Sequence, residues 1–254
     1  MSDAVLVETR DNVLVITISR PEARNAVNGE VAQGVAAALD RLDAEPGLAV
    51  GVLTGGGGTF SSGMDLKGFL RGETPVVEGR GLAGLTQAPP RTPLIAAVEG
   101  WALAGGFEMV LACDLVVAAR DAKFGLPEVK RSLVAGGGGL IRLPRRLPYH
   151  LAMELALTGD PLGAEAAHGY GLVNRLTEPG GALEGALDLA ATIAANGPLA
   201  LTATKEIVRR SLDWTEDEAW KQQNDIMVPV FGSEDAREGA AAFAEKRPPR
   251  WQGK

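Results

Sequence analysis

The chain has 254 residues, a single cysteine and a formal net charge of −7. A chain of this length can bury a sizeable core in one large domain, or in one domain with a small appendage. The acidic balance argues against a nucleic-acid binder. The lack of both a signal-peptide pattern and an apolar run of ~18 residues argues against a membrane protein. The lone Cys113 cannot form an internal disulfide, which favours a cytoplasmic location.

The first half of the chain alternates strand and helix patterns. Residues 5–21 alternate like two short strands, and the Asp11–Asn12 pair between them favours a hairpin turn. Residues 28–45 have helical periodicity, and residues 102–114 predict a buried helix. Continuous apolar composition predicts buried strands at 48–55, 92–100 and 114–120.

Beyond about Leu140 the pattern is almost wholly helical. Strands interleaved with helices, followed by helices alone, predict an α/β core with a helical C-terminal appendage. We place the core at residues 1–195 and the appendage at residues 196–254. Residues 71–91 predict a long, mobile loop.

Several common catalytic signatures are missing. The glycine runs at 55–58 and 136–139 lack the Lys-Ser or Lys-Thr of a phosphate loop, and the dinucleotide spacing fails at Phe60 and Ile141. The sequence has no Gly-x-Ser-x-Gly elbow and only two histidines, so neither a serine triad nor a zinc site is expected. No metal is predicted.

The segment ALAGGFEMVLACD (102–114) places two glycines and an acid at the head of an apolar helix. Helix N-termini expose unpaired N–H groups, and glycine lets a ligand oxygen approach them closely. Gly105 and Glu108 share one helix face, which suits a carbonyl that becomes an oxyanion while a proton moves nearby. Alternatively, the glycines only permit tight helix–strand packing and Glu108 forms a salt bridge.

Two further segments favour the oxyanion interpretation. GGGGTFSSGMDLK (55–67) leaves a strand, turns through glycines and can present a second backbone N–H near Met64. AKFGLPEVK (122–130) supplies a second acid, Glu128, directly after a proline that fixes the chain direction.

Four ordered segments together resemble the linked signatures of the crotonase superfamily, the enoyl-CoA hydratase/isomerase family: RPEARNAVN (20–28), GGTFSSGMDLK (57–67), PLIAAVEGWALAGGFEMVLACDL (93–115) and FGLPEVK (124–130). The similarity continues to FAEKRPPRW (243–251), and within the family several of these segments resemble the carnitinyl-CoA dehydratases. The resemblance implies an α/β spiral of ββα units with a helical C-terminal trimerisation region. It also implies a homotrimer or dimer of trimers, with no cofactor beyond the coenzyme A of an acyl-CoA substrate.

The resemblance assigns roles to individual positions. The oxyanion hole is implied to be the backbone N–H groups of Met64 and Gly105, and Glu108 and Glu128 occupy both acidic positions of the family's hydratases. The positions implied to contact CoA are Arg24, Ala26, Ser62, Asp65, Leu66, Phe243 and Lys246. In relatives the last two often reach the CoA of a neighbouring subunit.

The implied activity is reversible addition of water to a 2-enoyl-CoA, with a crotonobetainyl-CoA or carnitinyl-CoA-like substrate as one option. We expect Glu128 to act on the Cα proton and Glu108 to hold the water. The alternatives are an enoyl-CoA isomerase and a non-catalytic acyl-CoA-binding member of the family.

Four positions depart from the family pattern. Ala104 replaces a frequent glycine, and Glu99 is expected to be a strand-end charge that faces solvent. Trp101 either forms a wall of the acyl pocket or packs in the core. Arg131 either binds an acidic substrate tail or forms a salt bridge.

Overall fold

Eleven strands and ten α-helices make up the computed structural model, which describes residues 4–254. The strands are β1 (Val5–Arg10), β2 (Val13–Ile18), β3 (Val50–Gly55), β4 (Val76–Val77), β5 (Gly81–Leu82), β6 (Leu94–Val98), β7 (Trp101–Leu103), β8 (Leu115–Ala119), β9 (Lys123–Gly125), β10 (Leu162–Gly163) and β11 (Arg175–Thr177). The helices are α1 (Gly29–Ala44), α2 (Leu66–Phe69), α3 (Gly105–Ala112), α4 (Gly139–Arg142), α5 (Tyr149–Thr158), α6 (Ala164–Gly169), α7 (Ala182–Ala194), α8 (Pro198–Arg210), α9 (Glu216–Phe231) and α10 (Glu234–Glu245).

The main sheet has the strand order β1-β2-β3-β6-β8-β11, and every pair except β1–β2 is parallel. β1 and β2 form the predicted hairpin, in which Asp11 adopts the left-handed conformation with φ of 53°. Helix α1 begins at the predicted place because the Asn28 side chain accepts a hydrogen bond from the Val31 N–H. The predictions of the hairpin, of α1 and α3, and of β3, β6 and β8 are confirmed.

The sheet separates two apolar clusters. On one face, α7 packs against β3, β6 and β8, and its Ala182, Ala186 and Ala190 are fully buried. The opposite face belongs to the larger cluster, which includes residues of α1 and α3. Because parallel strands are covered on both faces, their sequences are continuously apolar, and these apolar runs made the strands predictable from the sequence.

A second, three-stranded sheet has the order β10-β9-β7. β7 and β9 pair in parallel, with Leu103 opposite Gly125. This pairing brings the residues just before α3 next to the residues just before Glu128.

One sequence-based expectation about chain organisation is wrong. Residues 71–91 do not form a plain surface loop, because they contain β4 and β5 and bury Leu85 completely. The chain beyond Leu140 is almost wholly helical, as predicted, but β11 joins the main sheet beside β8 and β10 joins the second sheet. These strands are two or three residues long, too short to show an alternating pattern.

Helices α8 and α9 pack against each other and bury no residue completely, and α10 packs against α9. Within residues 4–254 no single helix is long and apolar enough to cross a membrane. The segments 182–194 and 198–213 together have the length and apolar composition of a membrane span, but the chain bends by 108° at the break between them.

Candidate active site

Two backbone segments lie side by side at the head of α3. Ser61 pairs with Ala102 in a parallel bridge, with hydrogen bonds from Ser61 N to Trp101 O (3.0 Å) and from Leu103 N to Ser61 O (2.9 Å). On its other side the same segment pairs Met64 with Val27. The chain around Ser61 is therefore held from both edges.

Glycine is required where these segments meet. Gly63 has a φ of +92°, and a Cβ atom there would lie 2.7 Å from the Ala104 Cβ and 2.9 Å from the Gly105 nitrogen. A Cβ atom on Gly106 would overlap the Ser61 carbonyl oxygen. The packing explanation is thus correct for Gly106, whose missing side chain lets α3 approach the neighbouring segment.

The backbone N–H groups of Met64 and Gly105 have no hydrogen-bond acceptor among residues 4–254. A Cβ atom on Gly105 would lie 3.5 Å from the Met64 nitrogen, so the two groups are close neighbours. Gly105 is the first residue of α3, where the N–H has no acceptor in its own helix. Two unpaired donors near a helix N-terminus form a suitable place for a developing negative charge.

Ala104, the residue between β7 and α3, has φ 51° and ψ −127°, a conformation that favours glycine. Its N–H donates to the Gly125 oxygen at 2.9 Å. This strained turn directs the chain into α3 and fixes the orientation of the Gly105 N–H.

Glu108 lies on the first turn of α3 and is 2 % exposed. Its Oε1 accepts a hydrogen bond from the Gly139 N–H at 2.9 Å, and it makes no ion pair with a described residue, so the salt-bridge alternative is wrong. Burial raises the pKa of Glu108, while the N–H groups of Gly139 and Gly137 and the charge of Arg142 oppose that rise.

Glu128 follows Pro127 in a short 3₁₀ helix, Pro127–Arg131, just after β9. Its Oε2 atom is buried and has no hydrogen-bond partner. Burial raises the pKa of Glu128 to about 7, the charge of Glu108 adds to the rise, and the Arg131 charge opposes it. A carboxyl group with this pKa can give or take a proton near neutral pH.

The elements that carry the two glutamates are fixed against each other. The parallel β7–β9 pair joins the turn before α3 to the segment before Glu128. The rings of Phe107 and Phe124, both fully buried, pack with centroids 5.5 Å apart. The structure therefore places both glutamates and both unpaired N–H groups on neighbouring segments around the head of α3, with Glu128 close enough to Glu108 for the charge of one to raise the pKa of the other.

Known proteins match this chain along nearly its whole length. The profile of the enoyl-CoA hydratase/isomerase family matches residues 8–254. The chain belongs to the enoyl-CoA hydratase/isomerase family. It is 42 % identical to the enoyl-CoA hydratase EchA19 of Mycobacterium tuberculosis, over 98 % of this chain and 96 % of that protein. It is 37 % identical to the carnitinyl-CoA dehydratase of Proteus mirabilis, over 100 % of both chains.

Solved structures of this family share the fold closely. The crystal structure of enoyl-CoA hydratase EchA1 from Mycobacterium marinum superposes with a TM-score of 0.98, at 63 % identity over 100 % of both chains. The α/β fold inferred from the resemblance is therefore confirmed.

Five of the predicted CoA-contacting residues lie together beside Met64. Ser62 N donates to Arg24 O at 3.0 Å, and the segment with Ala26 runs along the segment with Asp65 and Leu66. The Asp65 carboxylate is already engaged at the start of α2, where it accepts from Lys67 N and Gly68 N. The contact of these five residues with CoA stays a prediction.

The remaining two predicted residues lie on and just after α10. Phe243 is 89 % exposed and Lys246 is exposed. Their contact with CoA stays a prediction.

Three departures from the family pattern have structural outcomes. Glu99 is half-buried and is not a free strand-end charge, because its carboxylate accepts hydrogen bonds from Gly180 N (3.0 Å) and Ala182 N (2.8 Å) at the start of α7. Trp101 is 45 % exposed, so the core-packing alternative is wrong. Arg131 is exposed and makes no ion pair with any described residue, so the salt-bridge alternative is wrong as well.

Sequence reasoning missed the second glycine run as part of the site. Gly139 donates to Glu108, and a Cβ atom on Gly137 would lie 2.6 Å from the Glu108 Oε2. The run was tested only against phosphate-binding motifs. The available signal was Glu108 itself, since a buried carboxylate needs a donor from elsewhere in the chain.

Proposed function

We propose that this protein catalyses the reversible addition of water to the double bond of a 2-enoyl-CoA thioester. The observation that supports this most strongly is the convergence of two unpaired N–H groups and two carboxyl groups at the head of α3. The two N–H groups can bind the carbonyl oxygen of the thioester, and the two carboxyl groups can carry out the two proton transfers of water addition.

In this proposal the thioester carbonyl oxygen accepts hydrogen bonds from the Met64 and Gly105 N–H groups. These donors stabilise the enolate-like charge that accumulates as the β-carbon is attacked. Loss of one such donor typically costs ~3 kcal/mol of activation free energy. Since both donors are backbone groups, the identity of the Met64 side chain does not affect this role.

The two carboxyl groups divide the proton transfers. Glu108, ionised, accepts a proton from the water whose oxygen bonds to Cβ. Glu128, protonated, donates its proton to Cα, so that the elements of one water molecule add across the double bond. The environment of Glu128 supports this division, because burial raises its pKa to about 7 and the charge of Glu108 adds to the rise. The roles reverse in dehydration.

A crotonobetainyl-CoA or carnitinyl-CoA substrate is a second candidate, because relatives over the full length are carnitinyl-CoA dehydratases. That acyl group carries a quaternary ammonium. Arg131, exposed and close enough to Glu128 to influence its pKa, disfavours a cation at the reaction site. We therefore place an uncharged enoyl chain first.

The test is a hydration assay with crotonyl-CoA in ¹⁸O-labelled water, with crotonobetainyl-CoA assayed in parallel. The reaction is monitored by the loss of enoyl thioester absorbance, and the ¹⁸O content of the product is measured. Hydratase activity predicts loss of absorbance with ¹⁸O in the product. Conversion without ¹⁸O supports the isomerase, and tight binding without turnover of any chain length supports the non-catalytic binder.

We further propose that the protein assembles as a homotrimer or dimer of trimers through its C-terminal helices, and that it works in the cytoplasm. Large apolar side chains on these helices are exposed in the single chain: Val208 (64 %), Trp220 (68 %), Phe231 (72 %) and Phe243 (89 %). Such an apolar surface is typical of a subunit interface. The molecular mass of the protein in solution tests the oligomeric state. Loss of acyl-CoA affinity in Phe243→Ala would support the proposed contact between Phe243 and CoA.

A further inference from the structure

Arg142, the last residue of α4, is a partly buried arginine beside Glu108. It makes no ion pair with a carboxylate among residues 4–254. Arginines are rarely buried without an ion pair, so a partly buried arginine that has no carboxylate partner calls for a role.

The Arg142 guanidinium joins two segments that line the site. Nη2 donates to the Thr86 carbonyl oxygen, and Nη1 lies 3.5 Å from the Gly137 carbonyl oxygen. Thr86 follows β5, where the Leu82 Cδ2 atom lies 2.8 Å from the positions that Cβ atoms on Gly105 and Gly137 would occupy. The side chain thus connects the segment after β5 to the second glycine run.

That glycine run holds Glu108. Gly139 supplies the hydrogen bond to Oε1, and Gly137 packs against Oε2. Glycine backbone is conformationally permissive, so a contact from outside the run helps to hold the segment that carries these N–H groups. Arg142 provides one, and its charge also opposes the rise in the pKa of Glu108.

We propose that Arg142 is a positioning residue, which holds the 137–139 segment so that its N–H groups fix the Glu108 carboxylate for reaction with water. This inference rests on the proposed function of Glu108. The guanidinium fork is needed because it reaches two carbonyl oxygens at once, which an ammonium group does less well.

The test compares Arg142→Gln and Arg142→Lys with Arg146→Gln in enoyl-CoA hydration. Arg146 is the matched control, because it is a neighbouring arginine that donates to the Cys113 carbonyl oxygen instead of the glycine run. Arg142→Gln should lower kcat roughly tenfold or more with little change in KM. It should also move the acidic limb of the kcat profile, set by Glu108, to higher pH. The charged groups facing Glu108 are Arg142 and Glu128, and the variants alter only the first.

Arg142→Lys should keep the acidic limb near its normal place while kcat stays low, since it restores charge without the fork. The proposal would be overturned if Arg142→Gln left both kcat and the acidic limb of its pH profile unchanged. It would also be overturned if Arg146→Gln lost as much kcat as Arg142→Gln. A ¹³C NMR titration of the Glu108 carboxyl separates this inference from the proposed function. If the wild type fails to hydrate any enoyl-CoA, Arg142→Gln must still raise the pKa of Glu108, and an unchanged titration would refute the positioning role by itself.

Discussion

Glu128 titrates in the electrostatic field of Glu108. Burial raises the pKa of Glu128 to about 7, and the neighbouring carboxylate adds to that rise. Because a nearby negative charge disfavours a second ionisation, the pair favours a state in which one carboxyl group is protonated, which is the state that water addition requires.

The pH dependence of kcat/KM should follow this pair. Since hydration releases no net proton, the profiles for hydration and dehydration should share one shape, a bell whose alkaline limb lies near pH 7. Activity should fall about tenfold per pH unit above that limb. Steady-state rates in both directions measure it, and a profile that stays flat from pH 6 to 9 would contradict the assignment.

Glu128→Gln should stabilise the fold at alkaline pH. The folded carboxyl keeps its proton up to about pH 7, whereas its ordinary pKa is 4.5, so ionisation opposes folding increasingly between these two values. The variant removes this opposition and should gain about 1–3 kcal/mol at pH 8, the lower end reflecting partial exposure.

Urea unfolding at pH 4 and pH 8 measures this difference. The gain should be near zero at pH 4. An equal gain at both pH values would show that the effect has nothing to do with ionisation.

Gly106→Ala should damage both stability and activity. The added methyl group overlaps the Ser61 carbonyl oxygen, so α3 must move away from the segment that carries Met64. We expect a loss of about 1–3 kcal/mol in the free energy of unfolding. Gly29→Ala is the control, because a Cβ atom there has nothing within 4 Å. Normal turnover in Gly106→Ala would show that the close approach of α3 to the segment with Ser61 is not needed for activity.

Arg131→Gln should shift the preference between acyl groups. Without the positive charge near Glu128, kcat/KM for crotonobetainyl-CoA should rise about two- to fivefold relative to that for crotonyl-CoA, as expected for an exposed charge. Lys130→Gln is the control, since Lys130 is exposed and already paired with Asp160 at 2.6 Å. An unchanged ratio would exclude Arg131 as a determinant of the acyl group.

Much of the fold was predictable because its signals are local. The hairpin at Asp11, the cap at Asn28 and the apolar parallel strands each follow from a few neighbouring residues. The short strands β10 and β11 were not predictable, because their place depends on a sheet formed by distant segments.

The candidate site also contains residues with a local sequence signal and residues whose role depends on tertiary contacts. Gly105 and Glu108 stand out in one helix, and the resemblance added Met64 and Glu128. The contribution of Gly139 and Arg142 is tertiary: each reaches Glu108 across 31 or more residues of sequence. The engagement of Glu99 at the start of α7 was missed for the same reason.

The central claim is that the two glutamates perform the chemistry on a thioester held by the two N–H groups. Turnover of crotonyl-CoA by Glu108→Gln and Glu128→Gln, measured together with their CoA affinity, tests it most directly. The account predicts that each variant loses about a hundred- to ten-thousandfold in kcat while binding CoA almost normally. Near-normal kcat in either variant would contradict the role given to that residue.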